Sequence, residues 1–390
     1  MLGISATTVV HPAGHGTASL WDAASQGRSA LQRNPLDWCD LACWIGAVPG
    51  VEDATLPAEL QPWDCRNQRI AWLALQDTAF RAAAAAAVTR HGAGRVGLVL
   101  GTSTSGIRDT EIAYASRHAT GAWPAAFDYR RVHSVDALCR FTAQVLGLRG
   151  PMAAMSTACS SSAKVFLTAQ RWIDLGIVDC AIVGGVDSLC LSTLHGFDGL
   201  QLLSDEVCRP FDATRKGISI GEAGGFALLE RRPAQVLFAG GGESSDAWHM
   251  STPHPDGEGA QAAMRMALAS ARLAPAEIGY LNAHGTATQA NDRSEAAGIR
   301  AVFGAHRVPV SSTKGVTGHT LGAAGIVEAI VTAQALEHQA LPPTANWREA
   351  DAQLDVDVIA APAKAKFSHA MSNNFGFGGS NCVLVFSLAR

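Results

Sequence analysis

The sequence predicts an α/β fold assembled from two similar halves. Short apolar runs that end in Gly, Ser or Thr alternate with longer stretches in which apolar residues recur at helical spacing. A strand followed by a Gly/Thr loop occupies residues 94–111, and the same pattern returns at residues 277–295. A strand, turn and helix ending at residue 175 likewise have a counterpart at residues 308–336. Strands and helices that alternate and repeat in this way indicate two α/β units.

Each half also closes with an apolar strand, at residues 225–230 in the first and at residues 382–386 in the second. The charged stretch Arg231–Pro233 lies between the two repeats. We therefore predict a first half at residues 1–232 and a second half at residues 233–390.

The composition excludes several classes of protein. With 390 residues, of which 48% are hydrophobic and 16% charged, the chain can bury a large core. A net charge of -4 gives no support for a nucleic-acid partner or an anionic membrane surface. No apolar run is long enough to span a membrane, and the first residues lack the basic and apolar regions of a signal peptide. We expect a cytoplasmic protein.

The nine cysteines do not indicate a disulfide framework. They are scattered, odd in number and part of a chain large enough to fold without cross-links, so we expect reduced thiols. Cys39 and Cys43, with Cys65 downstream, could suggest zinc, but no second pair and no histidine lies at a ligand spacing. We therefore predict no metal site.

Cys159 is the strongest candidate for a nucleophile. It stands where an apolar, strand-like run, Pro151–Met155, turns into a helical stretch, Lys164–Leu175. A cysteine at the start of a helix is close to the positive end of the helix dipole and to unpaired N–H groups, which favour the thiolate. The same N–H groups can stabilise a negative oxygen during acyl transfer.

Two histidines follow apolar strands directly. His284 lies in the segment Asn282–Thr288, and His319 lies in the segment Ser312–Gly325. A neutral imidazole can donate an N–H to a developing negative charge. Because Cys159 is far from both histidines in sequence, only the fold can bring the three together.

Four segments together resemble one family. They are Thr157–Ser162 (TACSSS), Asn282–Thr288 (NAHGTAT), Lys314–His319 (KGVTGH) and Asn373–Asn381 (NNFGFGGSN). In this order they look like the elongating β-ketoacyl-acyl carrier protein synthases, and the resemblance covers nearly the whole chain. It implies the thiolase fold, in which two duplicated α/β halves form a five-layered α-β-α-β-α core.

The resemblance also implies a decarboxylative Claisen condensation, in fatty acid or polyketide chain elongation. An acyl chain would pass from a carrier thioester to Cys159, and malonyl-acyl carrier protein would then lose carbon dioxide and attack it to give 3-oxoacyl-acyl carrier protein. His284 and His319 would stabilise the enolate oxygen as neutral N–H donors. Such an acyltransferase needs no cofactor of its own, because phosphopantetheine arrives on the carrier.

Further residues are implied to support this chemistry. Lys314 would pair with Glu295, with Asp292 nearby, because a buried lysine needs a carboxylate partner to keep its charge. This pair would position the histidines. Phe377, between flanking glycines, would supply its N–H as an oxyanion donor beside that of Cys159, and its ring would cover the acyl pocket.

Four residues are implied to contact the substrate. Thr286 and Thr288 carry hydroxyls that could hold the pantetheine amides. Ile107 matches a position that lines or stops the acyl pocket. Phe375 lies in the C-terminal glycine loop, near the place where a thiolase carries a second catalytic cysteine.

The implied partners are an acyl carrier protein and a second subunit, in a homodimer or in a heterodimer with a related chain-length factor. Carriers are acidic, yet this chain lacks basic residues at two stretches where relatives carry them, residues 61–64 and 204–206. The arginines expected to bind the carrier instead are Arg66, Arg69, Arg130 and Arg131. The departure favours a dedicated pathway, such as aryl-polyene pigment formation, over housekeeping fatty-acid synthesis.

Three alternatives belong to related classes of protein. A non-catalytic chain-length subunit would lack the cysteine, so Cys159 argues against it. A thiolase needs a second catalytic cysteine, but Phe375 stands near that position and Cys382 lies inside the last strand. A starter-type synthase has asparagine in place of the second histidine, whereas this chain has His319.

Overall fold

The structure is a computed structural model that describes residues 1–389. The last residue of the predicted second half, Arg390, lies outside the described residues. In chain order, the strands are β1 (Leu2–His11), β2 (Gly14–His15), β3 (Gln32–Arg33), β4 (Trp44–Gly46), β5 (Val96–Gly101), β6 (Met152–Met155), β7 (Cys180–Asp187), β8 (Ile220–Gly221), β9 (Ala223–Glu230), β10 (Val236–Ser245), β11 (Tyr280–Asn282), β12 (Pro309–Ser311), β13 (Ala340–Leu341), β14 (Asp357–Val358), β15 (Ala363–Lys364), β16 (His369–Gly376) and β17 (Ser380–Leu388).

The helices interleave with these strands. They are α1 (Thr17–Ser25), α2 (Arg66–Ala74), α3 (Thr78–His91), α4 (Ile107–Thr120), α5 (Tyr129–Val132), α6 (Ala137–Leu146), α7 (Ser161–Asp174), α8 (Leu191–Gly199), α9 (Glu258–Ala271), α10 (Gln289–Phe303), α11 (Lys314–Thr317) and α12 (Ala324–His338).

The large sheet contains the predicted duplication. Its order is β14-β12-β11-β16-β17-β10-β1-β9-β7-β5-β6. Outward from the centre, β1-β9-β7-β5-β6 in the first half matches β10-β17-β16-β11-β12 in the second, with the same parallel and antiparallel pairings. The halves meet where β1 pairs with β10, Leu2 opposite Phe238.

The helices fill the layers between and outside the two half-sheets. Helices α7 and α12 contact each other and the strands of both halves, and they form the central layer. Helices α2, α3 and α6 cover the outer face of the first half-sheet, while α9 and α10 cover that of the second. This is the five-layered thiolase arrangement that the resemblance implied.

The central layer explains why α12 is so apolar, whereas α7 exposes Arg171 and Asp174 near its end. Helix α12 is buried from Ala324 to Leu336, and in α7 Val165, Phe166 and Ala169 are fully buried. A helix covered by protein on all sides cannot show a polar face. Each large side chain buried here stabilises the fold by roughly 1.5–3 kcal/mol.

The two halves join close to the predicted position. β9 ends at Glu230 and β10 begins at Val236. The division into residues 1–232 and 233–390 stays a prediction. Within residues 1–389, no helix combines the length and the apolar character needed to cross a membrane.

Candidate active site

Cys159 lies in a tight turn between β6 and α7. The preceding residue, Ala158, has a φ of 52°, a left-handed conformation that costs an alanine about 1 kcal/mol. The turn is held by hydrogen bonds from the Ser160 hydroxyl to the Thr157 carbonyl and from the Thr157 N–H to the Ser161 hydroxyl, both 2.9 Å. The turn directs Cys159 toward the place where the two halves meet.

The environment of the Cys159 thiol differs from the sequence-based expectation. Burial raises its pKa to about 12, although the charge of Lys314 and a hydrogen bond from the Phe377 N–H both act to lower it. The thiol is 5% exposed. Burial thus outweighs the groups that favour the thiolate, and the resting cysteine is a protonated thiol; stabilisation of the thiolate by the helix start stays a prediction.

His284 follows β11 and is held as a neutral imidazole. Burial lowers its pKa well below the usual value, and the positive charges of Lys314 and of a protonated His319 act in the same direction. Lys314 Nζ lies 3.3 Å from Nδ1 of His284. An ammonium group can only donate, so Nδ1 accepts and the ring proton resides on Nε2.

His319 follows α11 and faces His284. The two ring centroids are 5.2 Å apart and nearly perpendicular, at 86°. Burial and Lys314 also lower the pKa of His319 well below its usual value. Its backbone is fixed by a hydrogen bond to the Ser219 carbonyl, 2.8 Å. Two neutral imidazoles thus stand side by side.

The predicted ion pair between Lys314 and Glu295 is wrong. Lys314 Nζ instead contacts the carboxylate of Glu328 on α12, and it also donates to the His284 carbonyl. Both members of the Lys314–Glu328 pair are buried, 1% and 2% exposed. The sequence did hold a signal for Glu328, because it is the one acidic residue in the largely apolar stretch Ala324–Leu336, and a buried carboxylate requires a cation.

Glu295 has a different task. Its two carboxylate oxygens accept the backbone N–H groups of His284 (2.8 Å) and Gly285 (2.7 Å), and the Asn373 amide donates to it at 3.0 Å. Burial raises the pKa of Glu295 to about 7. Asp292 likewise accepts the N–H of Ala287 at 3.2 Å. These two acidic residues hold the backbone of the loop around His284. Lys314 forms its ion pair with Glu328 instead.

Phe377 lies in a glycine turn across the cavity from the histidines. Gly378 and Gly379 have φ angles of 77° and 74°, and a Cβ at Gly379 would stand 2.8 Å from that of Asp246. Backbone bonds join this turn to the segment after β10, from Asp246 N–H to the Gly379 carbonyl at 2.9 Å. The Phe377 ring packs on Phe197 of α8, with centroids 5.3 Å apart.

A cavity of about 140 Å³ joins these groups. The predicted residues that line it are Cys159, His284, Thr286, Thr288, His319, Phe375 and Phe377. The hydroxyls of Thr286 and Thr288 are 2.9 Å apart, and the Phe375 ring centroid lies 5.8 Å from that of His284. Residues of the second half, between Asp246 and Asn381, thus meet the cysteine of the first half in one site.

Ile107 is not brought to this cavity. It is the first residue of α4 and is half-buried outside the cavity lining. Its role in limiting the acyl pocket stays a prediction.

Arg66 was predicted wrongly as a carrier-binding residue. Arg66 is 7% exposed and makes two hydrogen bonds of 2.7 Å to the fully buried Glu222. Arg69 makes bonds of 2.7 and 2.8 Å to both carboxylate oxygens of Asp64. Arg130 and Arg131 are exposed at α5. Arg69, which is 29% exposed, and the exposed Arg130 and Arg131 stay predictions for carrier binding.

One group of three metal-type ligands occurs within residues 1–389, His91, Cys180 and Glu230. The Glu230 carboxylate is already ion-paired to the guanidinium of Arg90. That positive charge opposes a bound cation. No group of this kind includes Cys39 or Cys43 of the described chain.

Comparisons with known proteins agree with this geometry. Residues 57–234 match the sequence model of the β-ketoacyl synthase N-terminal domain, and residues 236–348 match that of the C-terminal domain. Nodulation protein E of Rhizobium leguminosarum bv. trifolii is 36% identical over 390 residues, covering 96% of this chain and 95% of the relative. The chain belongs to the β-ketoacyl synthase family.

Other synthases extend this result. The 3-oxoacyl-[acyl-carrier-protein] synthase 2 of Vibrio harveyi is 35% identical over 318 residues, 77% of each chain. The ketosynthase (ApeO) in complex with its chain length factor (ApeC) from Xenorhabdus doucetiae is a solved structure with a TM-score of 0.90, 38% identity and coverage of 100% of this chain and 98% of that one. A β-ketoacyl synthase is an acyltransferase that extends an acyl chain by Claisen condensation.

Proposed function

We propose that this β-ketoacyl synthase condenses an acyl chain held on Cys159 with malonyl-acyl carrier protein. The observation that carries the proposal is the cavity itself, in which one thiol faces two neutral imidazoles whose protons can point inward. A thiol next to neutral N–H donors suits chemistry that forms an enolate without a strong base.

In the first half-reaction, Cys159 sulfur attacks the thioester carbonyl of the acyl carrier. The bond between that carbonyl and the pantetheine sulfur breaks, and the departing thiolate receives the proton that Cys159 loses. Because the pKa of Cys159 is about 12, proton loss accompanies the attack. The backbone N–H groups of Phe377 and Cys159 would stabilise the oxyanion.

In the second half-reaction, the malonyl thioester loses carbon dioxide. The electron pair of the broken carbon–carbon bond stays on the remaining thioester and forms an enolate. Nε2–H groups of His284 and His319 would donate to the enolate oxygen. The carbanion carbon then attacks the acyl carbonyl and breaks its bond to the Cys159 sulfur, and the departing thiolate takes up a proton from water. The products are 3-oxoacyl-acyl carrier protein, carbon dioxide and the free carrier.

The proposed partners are an acyl carrier protein and a second synthase subunit. The likeness to a ketosynthase solved with its chain length factor supports a heterodimer in which this chain is the catalytic member. Cys159 in an open cavity favours this over a non-catalytic chain-length role. No cofactor beyond carrier-borne phosphopantetheine is proposed. The cytoplasmic location and the aryl-polyene pathway stay predictions.

The test is intact-mass analysis after incubation with acyl-carrier proteins. Wild-type protein should gain one acyl group on Cys159 and release 3-oxoacyl product when malonyl carrier is added. Cys159→Ala should do neither, while its circular dichroism stays unchanged. Cys159→Gln should release carbon dioxide from malonyl carrier without condensation, because the amide resembles the acylated thiol. Condensation by Cys159→Ala at the wild-type rate would exclude the proposal.

A further inference from the structure

Asp187 is a fully buried carboxylate that has no assigned role in the proposed condensation. It is the last residue of β7, and no ion pair to it occurs within residues 1–389. A buried carboxylate costs several kcal/mol unless hydrogen bonds or a cation compensate for lost hydration. The hydrogen-bond donors that surround Asp187 therefore show which segments the carboxylate holds in place.

One side of the carboxylate is occupied by the loop that follows β5. The Thr102 hydroxyl donates to Asp187 at 2.7 Å, the Ser103 N–H at 2.8 Å, and the Thr104 N–H and hydroxyl at 2.9 Å each. The Ser103 hydroxyl donates as well. Three consecutive residues of the first half are thus bound to one side chain.

The other side of the carboxylate is occupied by the second half. The Gly322 N–H donates to Asp187 at 2.6 Å. Gly322 comes three residues after His319, in a turn where Leu321 has a φ of 53°. A Cβ at Gly322 would lie 2.7 Å from the Asp187 carboxylate and 2.8 Å from the Ser103 nitrogen, so the two loops touch through the carboxylate.

The same region supports the nucleophile turn. A Cβ on Gly101 would lie 2.5 Å from the Ser162 nitrogen, and a Cβ on Gly185 would lie 2.6 Å from the Ser162 Cβ. The Ser162 hydroxyl accepts the Ile326 N–H at 3.0 Å. The ends of β5 and β7 therefore pack directly on the first turn of α7, next to Cys159.

We propose that Asp187 is a positioning residue that fixes the turn carrying His319 against the loop Thr102–Thr104. This inference rests on the proposed function, because it assigns His319 to the malonyl step. A carboxylate with six donors from two loops sets their relative position to within a fraction of an ångström. Removing it releases the His319 turn. Cys159 stays held by its own turn and by the packing of Gly101 and Gly185 on Ser162, and because the Asp187 charge acts to raise the pKa of Cys159, losing that charge does not slow acyl transfer.

Two variants perturb the junction in different ways. Asp187→Asn keeps the shape but places an amide N–H₂ against N–H and O–H donors, and Gly322→Ala keeps the carboxylate but forces the loops apart. Each is made alone and in the Cys159→Gln background. Asp174→Asn, at an exposed carboxylate paired to Arg231, is the matched control.

Two rates are measured: acyl transfer to Cys159 by intact mass, and carbon dioxide release from malonyl carrier in the Cys159→Gln background. For both junction variants, carbon dioxide release should fall by about tenfold or more and acyl transfer by less than about threefold. Thermal melting gives the folded fraction, and rates are expressed per folded protein.

The outcomes separate the two proposals. Equal losses in both rates, or no loss in either, for folded Asp187→Asn and Gly322→Ala would overturn the positioning role. An inactive Cys159→Gln parent with no carbon dioxide release would instead contradict the proposed function. If Asp187→Asn fails to fold, Gly322→Ala and the milder Ser103→Ala provide the test. A larger loss of carbon dioxide release than of acyl transfer supports the positioning role, and equal losses of the two rates refute it.

Discussion

Lys314 Nζ donates to both the Nδ1 and the carbonyl oxygen of His284 and is ion-paired to Glu328. One buried ammonium therefore fixes the tautomer of a catalytic candidate and its backbone. Lys314→Met should lower carbon dioxide release in the Cys159→Gln background by about 10- to 100-fold, since Nε2–H is no longer enforced.

The same substitution leaves Glu328 buried without its cation, which should lower the free energy of unfolding by about 3 kcal/mol. Thermal melting measures this. Lys216→Met, at a lysine that is 54% exposed, is the control and should change neither quantity. Unchanged carbon dioxide release by folded Lys314→Met would show that the tautomer is set by another group.

The two histidines should separate the half-reactions. His284→Ala and His319→Ala should each lower malonyl decarboxylation by about 10²-fold or more, whereas self-acylation of Cys159 should fall by less than about tenfold. Intact-mass analysis measures the acylated fraction, and carbon dioxide release measures the other step. Parallel losses in the two steps would contradict a separate role for the imidazoles.

The protonation of the His284 and His319 rings should not change from about pH 6 to about pH 8, so decarboxylation by Cys159→Gln should show no histidine titration in this range. Burial and Lys314 lower the pKa of both histidines, so the neutral donors persist as the pH falls. An ordinary imidazole would become protonated within this range. The carboxyl groups of Glu295 and Glu328 have pKa values of about 7, so histidine ring resonances in NMR spectra are needed to tell the two kinds of group apart. Titration of either ring near pH 6.5 would mean that this histidine is an ordinary imidazole.

The raised pKa of Cys159 predicts its reactivity. With a pKa of about 12, the thiolate fraction rises about tenfold per pH unit and should not level off below about pH 9. The rate of alkylation of Cys159 by iodoacetamide should rise with pH in the same way. Peptide mass analysis confirms that the alkylated residue is Cys159. A plateau below about pH 8 would show that the helix start stabilises the thiolate after all.

The exposed arginines of α5 should contribute to carrier binding. Arg130→Glu with Arg131→Glu should raise the KM for carrier-bound substrate by about tenfold or more, because electrostatic steering of an acidic partner is lost. A small pantetheine-linked substrate should be unaffected. Arg307→Glu, at an exposed arginine of the second half, is the control. Equal KM values for wild-type and doubly substituted protein would place the carrier elsewhere.

Local chemistry explains which features could be predicted from the sequence. The duplicated pattern of strands and helices reappears in the matching strand orders of the two half-sheets. The turn at Cys159, the strand end before His284 and the short helix before His319 depend on neighbours within a few residues. The predicted residues on these motifs therefore line one cavity, whereas their roles stay predictions.

Contacts between distant segments were decided only by the tertiary structure. Lys314 meets Glu328 rather than Glu295 because Glu295 is occupied by backbone N–H groups, and Arg66 is buried against Glu222 instead of facing a carrier. The proton of Cys159 also depends on the surrounding fold. Sequence by itself determined the family and the order of elements, and it predicted the reacting groups. The partner of each charge and the degree of its desolvation depend on which side chains lie within a few ångströms. Only the packing of the folded chain determines these neighbours.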